Sequence, residues 1–164
     1  MKLLKFLQKP KINPTRGFLE VGKPFKKFEQ DTLSPIRADK GSAGYDFYSK
    51  ESVAIKPGQK HLFWTDVKAF MKQNEVLEIY IRSSLGIKYD LVLSNTVGII
   101  DSSYFENPTN DGNIGISLKN TGAHPVHIDE GDRIAQGIFK EYLTTVADNV
   151  KDEERFGGFG HSGK

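Results

Sequence analysis

The chain of 164 residues is 37% hydrophobic and 27% charged, which suits one globular domain and leaves no room for two sizeable cores. Its 23 basic and 21 acidic side chains leave a net charge of +2, too balanced to argue a nucleic-acid groove or a membrane-binding surface. With no cysteine in the chain, a disulfide framework, thiolate zinc sites, iron–sulfur clusters and a cysteine nucleophile are all excluded.

The first eleven residues hold an apolar run that is broken by Lys5 and followed by Pro10, so there is no uninterrupted h-region. Nowhere do about 18 apolar residues run together, and neither export nor membrane insertion is expected. Residues 1–40 are basic and punctuated by Pro10, Pro14, Pro24 and Pro35, with one strand-like stretch from Gly17 to Gly22. They predict an N-terminal arm over residues 1–30 that becomes ordered late, ahead of a β domain over residues 31–150. From Gly44 onward the pattern is one of short β-branched and aromatic runs separated by turn signals such as Lys56-Pro57-Gly58 and Asp129-Glu130-Gly131-Asp132.

Leu77, Ile79 and Ile81 alternate with Glu78, Tyr80 and Arg82, and Ile114, Ile116 and Leu118 alternate with Gly115, Ser117 and Lys119. Both stretches predict half-buried strands. No window carries a capped helical stripe, and no internal repeat is present. The expected fold is therefore all-β, a jelly-roll barrel or sandwich of many short strands. Residues 155–164 contain four glycines and cannot bury a core, so the tail over residues 151–164 is expected to be disordered until it meets a ligand.

Within that tail, Gly158-Phe159-Gly160-His161-Ser162-Gly163 satisfies a dinucleotide fingerprint and, with Lys164, most of a Walker A loop. Both motifs work by presenting backbone N–H groups and a helix N-terminus to phosphate, with a strand before and a helix after, and that context is missing. What remains is bare glycine backbone able to approach phosphate closely, donors on Arg155, Ser162 and His161, and a Phe159 ring able to close over a flat ligand.

Five segments, in order, carry a more specific signal. They are Ala43-Gly44-Tyr45-Asp46-Phe47-Tyr48-Ser49, Arg82-Ser83-Ser84-Leu85-Gly86, Gly98-Ile99-Ile100-Asp101-Ser102-Ser103-Tyr104, Glu130-Gly131-Asp132-Arg133-Ile134-Ala135-Gln136, and residues 155–163. Together they resemble the five motifs of the trimeric dUTPase (dUTP pyrophosphatase) family over about residues 35–164. The resemblance implies a β jelly roll, a homotrimer with shared active sites, and hydrolysis of dUTP to dUMP and pyrophosphate, which limits uracil in DNA and supplies dUMP. It also implies a cytoplasmic location, that of the host cell if the chain is virally encoded.

Such a reaction needs a water aimed at the α-phosphorus, neutralisation of the triphosphate and stabilisation of the leaving group. Asp101, a carboxylate at the end of the apolar run from Val97 to Ile100, has the function needed to hold and activate that water. By the resemblance it also meets the sugar 3′-hydroxyl. Tyr104 resembles the tyrosine that lies against deoxyribose and leaves no space for a 2′-hydroxyl. Asn95, whose amide offers both donor and acceptor, corresponds to the reader of the uracil edge, together with backbone of the segment that includes Ile99, Ile100 and Gly115.

Arg82, Ser83 and Ser84 are expected at a strand end, converging on phosphate oxygens. Gln136 resembles the glutamine of the α-phosphate region, while Asp132 and Arg133 are expected in supporting ion pairs and Asp46 as an organiser near the phosphates. In the tail, Phe159 is implied as a lid over uracil, with Arg155, Gly160, His161 and Ser162 toward the γ-phosphate. Mg²⁺ is expected to ride on the triphosphate with water completing its shell, requiring no direct protein ligand. The histidines make no zinc site at any recognisable spacing.

Three features depart from the family pattern. Residues 105–112 intervene between Tyr104 and the next strand where a short turn is usual, and offer a possible surface for a protein partner. Arg155 stands four residues before Phe159 rather than five, and His161 replaces a serine. Two other readings share the fold: a dCTP deaminase, which needs a buried acid/base Glu where this chain has Ile116-Ser117-Leu118-Lys119-Asn120, and a nucleotide-switched protein-binding regulator.

Overall fold

The computed structural model describes residues 15–150 and 157–158. Twelve strands follow one another along the chain: β1 (Arg16–Glu20), β2 (Ile36–Arg37), β3 (Tyr45–Tyr48), β4 (Val53–Ile55), β5 (Lys60–Trp64) and β6 (Val67–Met71). The second half adds β7 (Glu75–Ile81), β8 (Leu91–Leu93), β9 (Gly98–Asp101), β10 (Gly115–Asn120), β11 (Val126–Ile128) and β12 (Arg133–Glu141). All pairings are antiparallel. The largest sheet has the order β2-β3-β12-β7-β9, a second has β5-β10-β8, and two ribbons join β1 to β6 and β4 to β11.

This is the all-β jelly roll that the strand rhythm predicts. The alternation in β7 and β10 turns Leu77, Ile79, Ile116 and Leu118 inward, where they meet Phe47, Phe63, Leu91, Ile114 and Ile134 in one core between the sheets. The outward face of β7 is polar: Glu78 is hydrogen-bonded by Tyr80 and Lys140, and the Lys140 ammonium is pushed up to about 12 by those two partners. Both expected turns form, with Gly58 and Gly131 at φ of 76° and 88°, conformations that favour glycine.

Two expectations are corrected. The one α-helix among the described residues, α1 (Ser83–Tyr89), begins where Arg82-Ser83-Ser84 were expected to end a strand. Seven residues are too few to display a helical stripe, and the helix stops on Asp90, held at φ 53° with its N–H bonded to the Leu85 carbonyl, so no glycine marks the end. The N-terminal arm is, from Arg16 onward, part of the β body. β1 pairs with β6 residue for residue, Phe18 packs edge-on against Tyr45 and Phe47 at 5.3 and 5.6 Å, and Arg16 is paired with the buried Glu75. Residues 23–28 are then strapped down by the buried Asp66, whose carboxylate accepts the backbone N–H groups of Lys27 and Phe28 at 2.8 and 3.1 Å. Among the described residues no helix is long and apolar enough to cross a membrane.

Candidate active site

β8 belongs to the three-stranded sheet and β9 to the five-stranded one, so the turn between them carries the chain from one sheet to the other. That crossing opens a cleft of about 250 Å³, whose walls include Asn95, Ile99, Ile100, Tyr104, Gly115 and Gly158. The turn is fixed by Thr96 N–H on the Leu93 carbonyl at 3.1 Å, by Val97 N–H on the Asn95 carbonyl at 2.7 Å, and by a 2.8 Å contact between the Ser94 and Ser117 hydroxyls. Gly98 lets β9 lie close against β7, since a Cβ there would come within 3.0 Å of Ile79 Cβ. The cleft is smaller than the ~300–1,000 Å³ of sites for drug-sized ligands, a size for one planar ring and a sugar.

Asp101 ends β9 just beyond Ile100, half-exposed and opposite Val76 of β7. It stands before a 3-10 turn at Ser102–Tyr104, but its side chain makes no capping hydrogen bond to that turn. Tyr104 is buried with its ring at the cleft wall; its hydroxyl donates to the Asn113 carbonyl at 2.7 Å and accepts from the Asn110 amide at 2.7 Å. Gly158 lies over this ring, where a Cβ would fall 2.8 Å from Tyr104 Cε2.

A second cluster forms on the other side of the large sheet's centre. Asp46 in β3 is buried, and its two oxygens each hold an arginine: Arg82 through Nε at 3.1 Å and Arg133 through Nη1 at 3.2 Å. Held by Nε, Arg82 keeps both terminal nitrogens for a ligand. Arg82, Ser84, Tyr89, His127, Asp132 and Arg133 line a cleft of about 240 Å³ that shares no wall residue with the first. Gln136 sits between Asp46 and Tyr80 in register, and its side chain crosses Gly44 so closely that a Cβ there would meet Oε1 at 2.5 Å.

The register separates the two clusters within one chain. Gln136 is opposite Tyr80 and Asp101 is opposite Val76, on the two sides of β7. Four residues of strand and two strand spacings put their Cα atoms roughly 16 Å apart, and Arg82 is farther still, roughly 20 Å along the strand from the residue opposite Asp101.

Asp132 departs from expectation: its carboxylate accepts the Asp129 N–H at 2.9 Å and shapes the turn, while only Arg133 of that pair enters an ion pair with Asp46. In the loop at residues 105–112, Asn107, Asp111 and Gly112 are buried, while Glu106, Pro108 and Thr109 are well exposed. Asn107, Asn110 and Asn113, which organise this loop beneath Tyr104, were not legible as site residues; the sequence signals a turn there but not which way its amides point. Arg155, Phe159, Gly160, His161 and Ser162 lie outside the described residues.

A nucleoside-sized cleft, a carboxylate one residue beyond its wall at Ile100 and an arginine pair braced by a buried aspartate suit the class of nucleotide-binding jelly rolls. The dUTPase family model matches residues 31–163. A deoxyuridine 5'-triphosphate nucleotidohydrolase of Lactococcus lactis subsp. lactis (strain IL1403) is 43% identical over 130 residues, covering 79% of this chain and 87% of that protein. A dUTPase from Streptococcus mutans superposes with a TM-score of 0.70 at 38% identity, covering 79% of this chain and 98% of that one. A variant of the dUTPase from phage phi11 of S. aureus, described as revealing the coordination of a structural Mg(II) ion, shares the fold with a TM-score of 0.65 at 24% identity, covering 87% of this chain and 100% of that one. The chain belongs to the dUTPase family.

Proposed function

We propose that this chain hydrolyses dUTP to dUMP and pyrophosphate, and that its working form is a homotrimer in which each active site is built from more than one subunit. The observation that carries the hydrolysis is the position of the Asp101 carboxylate at the end of β9, one residue beyond Ile100 in the wall of a nucleoside-sized cleft. Asp101 holds a water and takes its proton; the water oxygen bonds to the α-phosphorus while the bond from that phosphorus to the α–β bridging oxygen breaks, its electron pair leaving with pyrophosphate. Asn95 and the backbone around Ile99, Ile100 and Gly115 read the uracil edge, and Tyr104 closes the space a 2′-hydroxyl would need.

Arg82, Ser83, Ser84 and Gln136 bind the phosphates, with Asp46 ordering Arg82 and Arg133. Both Asp46 oxygens are already engaged by guanidinium groups, which fits an organising role rather than that of a metal ligand. The substrate is taken as its Mg²⁺ complex, in which the ion neutralises triphosphate charge. The tail's Arg155, Phe159, Gly160, His161 and Ser162 close over uracil and the γ-phosphate.

Sharing of sites rests on the register. Asp101 and Gln136 are both assigned to the α-phosphate, and roughly 16 Å within one chain is too far for both to reach one phosphate group. A second copy bringing its own Arg82 cluster to this cleft removes the difficulty. The strongly exposed Ile87, Leu143, Val146 and Val150 are apolar surface that such copies would cover. We take the activity to be cytoplasmic.

Incubating the purified protein with dUTP, dCTP or UTP and Mg²⁺ tests the reading. Pyrophosphate should be released from dUTP alone at an appreciable rate. Ammonia release from dCTP, or no turnover of dUTP, would refute it.

A further inference from the structure

The loop at residues 105–112 is tied together by amides whose directions are fixed. Asn110 Oδ1 accepts the Gly112 N–H at 3.1 Å, and Asn107 Oδ1 accepts the N–H groups of Thr109 and Asn110 at 3.1 and 3.2 Å. Backbone N–H groups only donate, so these contacts settle which end of each side chain is oxygen. The Asn107 amide nitrogen then donates to Asn110 Oδ1 and to the Tyr104 carbonyl, at 2.7 and 2.9 Å, and the Asn110 nitrogen donates to the Tyr104 hydroxyl at 2.7 Å. Having accepted there, the hydroxyl gives its own proton to the Asn113 carbonyl.

The far end of the loop is anchored as firmly. Asp111 accepts the Gly22 N–H at 2.6 Å and holds the buried Lys68 at 2.9 Å, and Lys68 also pairs with Glu106 at 3.1 Å. Glu106, Asp111 and Gly112 all have positive φ, at 54°, 58° and 82°, and a Cβ on residue 112 would come within 2.8 Å of the Tyr104 carbonyl oxygen. Non-glycine residues held at positive φ persist only where the surroundings over-determine them, and here Glu106 and Asp111 are both held by Lys68.

We propose that Asn110 is a positioning residue that fixes the tip of the Tyr104 ring at the cleft wall and so sets the discrimination between deoxyribose and ribose nucleotides. This rests on the reading of Tyr104 as the wall of the sugar site. A ring excludes one extra hydroxyl only if it cannot yield, and a displacement of the order of 1 Å is enough to admit an oxygen or misalign a reacting group. The longer loop thus works from inside the fold, beneath the ring.

The test compares kcat and KM for dUTP and UTP in the parent and in Asn110→Asp, Tyr104→Phe and the double variant. Asn110→Asp keeps the acceptor for Gly112 and Asn107 but has nothing to donate to Tyr104. Its ratio of kcat/KM for dUTP over UTP should fall about tenfold, mostly through a lower KM for UTP, with kcat for dUTP within about threefold of the parent. Tyr104→Phe, which removes the hydroxyl from the other side, should lower the ratio alike, and Asn110→Asp should add nothing further in that background. An unchanged ratio in Asn110→Asp, or equal losses in both backgrounds, overturns the proposal. Tyr104→Ala separates the two levels: if it leaves the ratio unmoved, the sugar-wall reading itself fails and the proposal with it, whereas a ratio moved by Tyr104→Ala but not by Asn110→Asp overturns the proposal alone.

Discussion

A site shared between subunits makes a quantitative prediction about mixtures of two crippled chains. Asp101→Asn keeps shape and hydrogen bonding but cannot take the water's proton, and should lower turnover by about two to four orders of magnitude. Arg82→Ala removes a charge-assisted contact to phosphate, a loss of about 1.5–3 kcal/mol or ten- to a hundredfold in kcat/KM, while Asp46 keeps Arg133 as its partner. Within one chain the two positions are roughly 20 Å apart along β7, too far to act on one triphosphate at the same phosphorus.

If each site takes Asp101 from one chain and Arg82 from another, oligomers assembled at random from equal amounts of the two variants have about one quarter of their sites intact. The mixture, unfolded together and refolded, should therefore recover about a quarter of the parent activity, far above either variant alone. The assay is pyrophosphate release from dUTP, with mass measurement to show that mixed oligomers have formed. Mixed oligomers whose activity is only the mean of the two variants would refute the shared site and return every catalytic group to one chain.

Three further outcomes are expected. Asp101→Asn should still bind a non-hydrolysable dUTP analogue with near-parent affinity, as titration calorimetry can measure, and activity within tenfold of the parent would mean another group activates the water. If residues 155–164 close over bound substrate as proposed, deleting them should depress kcat far more than melting temperature. The hydrogen bond from Arg16 holds the Glu75 carboxyl below the usual glutamate range. A lowered folded pKa gives stability that is present in full above the unfolded value, near 4.3, and is lost as pH falls through the folded one. The melting temperatures of the parent and Arg16→Gln should thus differ at neutral pH and converge in acid; a constant gap would dissociate the pair from acid stability.

Legibility followed the range over which each signal acts. Strands with one buried face announce themselves by period-two alternation, which is why β7 and β10 were readable residue by residue. α1 was not, because seven residues complete barely two turns and its stop is an aspartate in a conformation usually left to glycine. β1 was visible as a strand-like stretch, but its partner β6 begins about fifty residues later, and nothing local says that Phe18 reaches Tyr45 and Phe47. The acidic residues show the same limit. Asp46, Asp66, Asp101, Asp111 and Asp132 look alike in sequence, yet the fold makes one a brace for two arginines, two of them anchors for backbone N–H groups, one a turn cap and one the end of the cleft.

What the motifs could not convey is that their order along the chain is not their order around a nucleotide. β7 acts as a spacer: pairing with β9 fixes Asp101 at one end, and the chain leaving the other end delivers Arg82 and the serines that open α1. Both groups are thereby positioned by the β7–β9 side of the largest sheet, at opposite ends of β7. On the proposed reading, a single subunit selects the base and sugar, or grips phosphate, and a neighbour supplies the other half. If the sites are shared in this way, alignment of water, phosphorus and leaving group is set by packing between subunits. It follows that substitutions on the subunit interface, far from any nucleotide atom, should lower kcat before they lower binding of dUMP, since a product lacking the β- and γ-phosphates depends less on the half that the neighbour brings.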